Sequence, residues 1–353
     1  MNLRLGRARR RLRLARYWQA DGDLDEAVRH ARRALGLLDG TVVQLTGEVT
    51  LTLAEIERDR CEWASCDARL GRLVDQLDAQ PATSPAGRSL LARALTGLGD
   101  AHRRAGRYRQ ATGTLQRACE LLADGEPDLL AAALTTLAIT SKEIGDFGRA
   151  QQLYARVQRI RDEAGATSGQ LADLQHNLAG LAYARQRYEQ AERHARRAVS
   201  LRRTAGANAG TLAADQTVLA AVLTARHNYD EARRQLDDAL AACRASRPPR
   251  RYEVAVQLHN LAAIEHGCGH LERAGLLYRQ ALAIKEELLG PDHPDVALIA
   301  NSLGTLLYQE HRHVEAAHQF RRALAIAEDR YPAAHPATVG IRRNLVIVAA
   351  CGN

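Results

Sequence analysis

The chain has 353 residues, 46% of them apolar, enough for a sizeable core, yet only 4% are aromatic. Its formal charge of +8 is the balance of 49 basic and 41 acidic residues, a mild attraction to anions that does not establish nucleic-acid binding. The most apolar run, LLAAALTTLAI at 129–139, is too short to span a bilayer.

Ala, Leu, Arg and Glu dominate, and β-branched and aromatic residues are sparse, so the chain is expected to be all-α. Only Lys142 and Lys285 are lysines. Residues 2–16, NLRLGRARRRLRLAR, hold seven arginines and no acid. This stretch lacks the apolar core of a signal peptide and reads as a helix with a basic face. Six cysteines (61, 66, 119, 243, 268 and 351) follow no framework spacing and form no CxxC pair. Reduced thiols and a cytoplasmic location are therefore expected.

An internal period runs through the chain. Counting from Ala191 in RYEQAERHARRA, an equivalent small residue stands at Ala27, Cys66, Ala111, Ala150, Ala232, Ala274 and Ala316, with gaps of 39 to 45 residues. Thirteen residues before each anchor lies a leucine: Leu14, Leu53, Leu98, Leu137, Leu178, Leu219, Leu261 and Leu303. An alanine or glycine always follows it. Each unit reads as helix A, a short turn and helix B. The leucine is a core knob, and the small residues let two helix axes approach closely. One hairpin cannot bury its apolar face alone, so neighbours must stack. The expected repeats are approximately 3–38, 42–79, 88–123, 128–164, 169–204, 209–246, 252–289 and 294–331, followed by a helix at 336–350. PATSPAG (81–87), DGEPD (124–128), SRPPR (246–250), GPDHPD (290–295) and YPAAHPA (331–337) punctuate the units. No interdomain linker is evident, so one solenoid over 1–353 is expected.

These residues resemble the tetratricopeptide repeat family, whose Leu-Gly/Ala on helix A and Ala…Ala on helix B recur in nearly every unit. The period near 42 and the segment ALAIKEELLGPDHPDVALIANSLGTLLYQE look like the kinesin-light-chain subtype. The family's helix A aromatic is mostly missing, and only Trp18 falls near its place. The resemblance implies a right-handed superhelix whose helix A residues line a concave groove for peptides or partner proteins, with no catalysis and no cofactor.

In that family the position before the column leucine points to the groove. Here it reads Arg13, Thr52, Gly97, Thr136, Asn177, Val218, Asn260, Ser302 and Asn344, preceded by Leu12, Leu51, Thr96, Thr135, His176, Thr217, His259, Asn301 and Arg343. Asparagine is a poor interior helix residue, so its recurrence asks for a reason. Asn177, Asn260, Asn301 and Asn344 could pair with the backbone of an extended peptide, or bond a neighbouring helix. Val218 interrupts any such ladder. Toward the amino terminus, Arg9, Arg13, Arg16 and Arg93 form a second candidate surface for a carboxylate or acidic ligand, with Glu48, Glu55 and Asp100 interspersed. A solvated charged face is the competing account.

HGCGH at 266–270, with His311 and His313 one repeat on, is the one metal-like cluster, but its glycines suit a tight turn equally well and no metal site is assigned. His293 and His335 sit at matching inter-repeat turns and read as structural. GANAG at 206–210 lacks the strand and Lys-Ser/Thr of a phosphate loop, and RPPRR at 247–251 reads as an exposed loop. The final helix has no helix B, which should leave Leu345, Ile347 and Val348 partly uncovered and suggests self-association, a partner or a longer protein. The expected function is a non-catalytic scaffold or adaptor for a protein or peptide. The alternatives are a peptide- or ligand-sensing regulatory module acting on a separate effector and, with few stacking aromatics to support it, a nucleic-acid-binding solenoid.

Overall fold

The computed structural model describes residues 2–21, 23–38, 43–60, 62–79, 84–122, 126–206, 209–246 and 250–350. Residues 81–83, 124–125 and 247–249 of the punctuating segments and residues 207–208 of GANAG, with Cys61 and Cys351, lie outside them. The described residues contain seventeen α-helices and no strand. In chain order the pairs are α1 (Asn2–Asp21) and α2 (Leu24–Leu35), α3 (Val43–Asp59) and α4 (Trp63–Asp78), α5 (Pro85–Arg104) and α6 (Tyr108–Leu121), and α7 (Pro127–Glu143) and α8 (Phe147–Ala164). There follow α9 (Ser168–Ala184) and α10 (Tyr188–Thr204), α11 (Ala209–Ala225) and α12 (Tyr229–Ala245), α13 (Arg251–Gly267) and α14 (Leu271–Leu289), α15 (Pro294–Gln309) and α16 (His313–Arg330), and the unpaired α17 (Pro336–Ala350).

The chain divides into two compact units, residues 1–140 with 152–160, and residues 141–151 with 161–353. Within each, the two helices of a hairpin pack together and the first helix also packs on the first helix of the next hairpin: α1 on α3 and α3 on α5 in one unit, and α9, α11, α13, α15 and α17 in series in the other.

The sequence columns become packing layers. All eight anchors, from Ala27 to Ala316, are buried. Four residues on, helix B presents Ala31, Leu70, Leu115, Tyr154, Ala195, Leu236, Tyr278 and Phe320, again all buried. The small residue after the column leucine faces this second layer. At Gly304 a Cβ would stand 2.8 Å from the Phe320 ring, and at Gly99 it would stand 2.5 Å from Leu115 Cγ. At these two positions a methyl group would force the opposite side chain to shift. Leu53, Leu98, Leu137, Leu219, Leu261 and Leu303 are buried as core knobs, whereas Leu14 and Leu178 are only half-buried. Those two belong to the hairpins whose second layer is alanine, Ala31 and Ala195, which covers less of the leucine.

Between helices A and B the residue five before the anchor turns left-handed. Gly106, Gly145, Gln186, His227, Gly269 and His311 have φ between 58 and 82°. Between hairpins, helix starts are capped. Thr167 and Gln170 form a capping box, Ser84 Oγ accepts from the Gly87 amide at 3.1 Å, and His293 Nδ1 accepts from the Asp295 amide at 3.1 Å. Cys66, Cys119, Cys243 and Cys268 form no disulfide, and burial pushes Cys66 up to about 12. No helix of the described residues is long and apolar enough to cross a membrane.

Candidate functional site

Helices α15 and α17 frame a pocket of about 530 Å3. That lies in the range of ligand-sized cavities, about 300–1,000 Å3. Asn301, Arg343 and Asn344 share it with an apolar wall from Leu298, Ile341 and Ile347. The repeat spacing sets this convergence: Asn344 stands 43 residues after Asn301, and its Nδ2 donates to Asn301 Oδ1 at 3.0 Å. The pair leaves the Asn301 amide N–H groups and the Asn344 carbonyl oxygen for a ligand, one donor set beside one acceptor. Arg343 is exposed and makes no ion pair among the described residues. Leu298 is 56% exposed and Ile347 40%, large values for apolar side chains on packed helices. Both lie three residues from a pocket asparagine on the same helix face, a spacing present in the sequence but not singled out by the leucine column.

At the pocket wall lies a partly buried ion pair. Lys285, 2% exposed, donates from Nζ to Asp295 Oδ2 at 2.7 Å, and the Tyr252 hydroxyl donates to the same oxygen at 2.8 Å. Burial works against the carboxylate, but the Lys285 ammonium, His293 and these bonds outweigh it and hold Asp295 at about 2. The ammonium also sits 3.1 Å from the centre of the Tyr252 ring. Asp295 lines the pocket but is already neutralised.

Of the other candidate residues, the two histidines hold helix to helix. His176 Nδ1 meets Asp215 Oδ1 at 2.9 Å, and Asp215, wholly buried, also accepts from Arg202 Nε at 2.7 Å. His259 Nε2 lies 3.2 Å from Ser302 Oγ. The Ser302 hydroxyl donates to the Leu298 carbonyl, so the ring is the donor to it. Burial, then Lys285, push His259 down to about 4, so the ring is neutral at neutral pH. Asn177 turns back on its own helix, donating to the Asp173 carbonyl at 2.9 Å. Asn260 is half-buried and makes no side-chain hydrogen bond among the described residues.

Of the four arginines expected to form an open anionic-ligand surface, two are occupied. Arg16 Nη2 and Arg93 Nη1 both reach Glu48, at 2.8 and 2.5 Å. Arg9 and Arg13 are exposed and make no ion pair among the described residues. Arg93 also lines a cavity of about 310 Å3 between α3, α5 and α7, with Glu55, Arg58 and Asp100. Burial raises the Glu55 carboxyl above its ordinary range. Burial acts on Asp100 in the same sense, but Arg103 and Arg104 outweigh it and hold that carboxyl low.

The HGCGH histidines are engaged separately: His266 with Gln309 at 2.9 Å and His270 with the buried Glu265 at 2.7 Å. The described residues contain no group of three or more His, Cys, Asp or Glu side chains placed to hold a metal ion.

Tetratricopeptide repeat models match residues 94–129, 170–245 and 253–329, together more than half of the chain. No curated protein matches the sequence. Among solved structures, the Rap conjugation gene regulator of the plasmid pLS20, in complex with a Phr peptide, superposes with a TM-score of 0.67 at 16% identity, covering 87% of this chain and 84% of that one. The apo quorum sensor NprR from B. thuringiensis gives 0.61 at 14% identity, covering 90% and 87%. BtubC from P. vanneervenii gives 0.50 at 21% identity, covering 64% and 91%. These likenesses extend the fold beyond the matched repeats to an all-α solenoid of the same kind. The chain belongs to the tetratricopeptide repeat family.

Proposed function

We propose that the chain is a non-catalytic scaffold that captures a peptide segment of a partner in the α15–α17 pocket. The observation that carries this reading is the meeting of paired amides, an unpaired guanidinium and an exposed apolar wall in one cavity. An extended peptide offers a matching backbone donor and acceptor to Asn301 and Asn344. Its apolar side chain fits against Leu298, Ile341 and Ile347, and a carboxylate meets Arg343. Two proteins of the same fold were solved with peptides, the Rap regulator with a Phr peptide and NprR with its cognate peptide NprX. The finer reading is therefore a sensing module in which peptide binding alters action on a separate effector. Such coupling requires the peptide to bind two states of the repeats unequally.

The experiment is selection of peptides on the immobilised full chain, followed by titration of the best sequence. Leu298→Asp should weaken binding by at least about tenfold through loss of apolar contact and a new buried charge. Arg343→Gln should weaken acidic peptides selectively. Selected peptides that bind both variants as tightly as the parent chain would remove the pocket from the account.

A second reading is a second copy docking on α17, where Val339 is 51% and Val346 69% exposed. Light scattering over a wide concentration range separates the two, since a strict monomer at high concentration excludes it.

A further inference from the structure

A different cavity lies on the first hairpin, and no function considered above uses it. It measures about 680 Å3 and is lined by Arg7, Arg10, Arg11, Leu14, Arg33, Gly36 and Leu37. Arg7, Arg10, Arg11 and Leu14 recur at helical spacing and make one stripe along α1. This is not the stripe of Arg9, Arg13 and Arg16. Arg33 joins them from the last turn of α2.

Three features make this more than a solvated basic face. No carboxylate lines the cavity, and Arg7, Arg10, Arg11 and Arg33 make no ion pair among the described residues. One guanidinium is held in place from below. Arg11 Nη1 donates to His30 Nδ1 at 3.1 Å, and His30 is only 9% exposed. Its ring must therefore be neutral at that nitrogen; burial first, and the charge of Arg11 next, favour that form. Finally, the guanidiniums share one open concavity with Leu14 and Leu37 in its wall, a lining of mixed charge and apolar surface that suits a compact anion with an organic part.

We infer that this cavity binds a compact oligophosphate, two or three linked phosphates either free or carried by a nucleoside. Arginine forks match phosphate oxygens two at a time, and linked phosphates bring several charges into a volume this small. The two leucines accommodate the organic part of a nucleotide. The proposal does not rest on peptide capture, with which it shares no residue.

Calorimetric titration of the full chain with tripolyphosphate and with ATP tests it, alongside inorganic phosphate and a single-stranded oligonucleotide. Tripolyphosphate should bind and inorganic phosphate should be at least about tenfold weaker, each lost charge-assisted bond being worth roughly that factor. ATP binding alongside tripolyphosphate identifies a nucleotide as a source; tripolyphosphate alone identifies the free form. The R7Q/R10Q double variant should lose at least about tenfold in affinity. R9Q/R13Q removes the same charge from the other stripe and should stay within about twofold, as expected for exposed, solvent-screened charges on another face of the same helix. All four positions are exposed, and unchanged helix content and melting confirm folding. The proposal is overturned if neither oligophosphate binds, or if the two double variants weaken binding equally. It is also overturned if the oligonucleotide binds while tripolyphosphate and ATP do not, which would assign the arginines to a nucleic-acid backbone.

Discussion

His335 and Glu143, 192 residues apart in sequence, are joined by a 2.8 Å hydrogen bond from the ring Nε2 to the backbone carbonyl. The ring stacks on Tyr331 with centroids 4.1 Å apart, and its Nδ1 accepts from the Ala337 amide at 3.2 Å. Only the neutral ring protonated on Nε2 satisfies both bonds, and burial holds its pKa below the ordinary 6.5, against the raising effect of the Glu143 carbonyl. A histidine whose folded pKa is depressed supports the fold above its unfolded pKa and withdraws that support as pH falls through the folded value. Acidification below about pH 6.5 should therefore loosen the start of α17. Hydrogen exchange, corrected for intrinsic rates, should quicken there at low pH. His335→Ala should show the fast exchange at every pH, with about 1–2 kcal/mol of local stability lost. Exchange independent of pH in the parent chain would refute the tie.

Gly304→Ala tests the close approach of helix A to helix B. The added methyl meets the Phe320 ring, so destabilisation of about 1–3 kcal/mol is expected in urea unfolding. Adding Phe320→Leu should restore part of the loss, since the smaller side chain makes room. Additive losses in the double variant would mean that the two residues do not face each other.

At Gln186 the chain adopts φ 58° with an exposed side chain. Left-handed backbone costs an ordinary L-residue roughly 1 kcal/mol, partly offset on changing to glycine by a looser unfolded chain. Gln186→Gly should thus stabilise the hairpin by about 0.5 kcal/mol. His227→Gly should yield less, because the His227 ring bonds the Tyr229 hydroxyl at 2.8 Å. Equal shifts in midpoint for the two would contradict this account.

Replacing Lys285 with methionine keeps the volume but strands Asp295. Removing one partner of this partly buried pair should cost about 1–3 kcal/mol at neutral pH. In the parent chain the depressed Asp295 pKa contributes stability above the ordinary carboxylate value of 3.8, which disappears as pH falls toward 2. In the variant that acid-induced decline should flatten. Urea midpoints measured down the acid range would show it, and parallel declines would dismiss the pair as a stabilising element.

The period, the hairpin boundaries and the small-residue columns are legible in sequence because close helix packing tolerates only small side chains at fixed places. The A–B turns are legible at Gly106, Gly145 and Gly269, but not at Gln186, His227 and His311, where tertiary packing imposes the left-handed backbone. Asn301, Asn344 and Arg343 are legible as candidates through the family register, and folding brings them to one pocket. The same register misleads at His176 and His259, because it gives direction without showing that Asp215 and Ser302 wait one hairpin along. The basic cavity escapes it altogether, since four arginines within five positions of α1 occupy two stripes and only folding separates them.

Several polar side chains on the first helices reach across by one repeat. In the second unit the pairs include His176 with Asp215, Gln257 with Thr217, His259 with Ser302 and Asn344 with Asn301. These cross-links fix the distance between successive hairpins as well as the chemistry of the surface they share. A ligand that takes over one of these groups breaks a rung, and so changes the elasticity of the chain at the place where it is held.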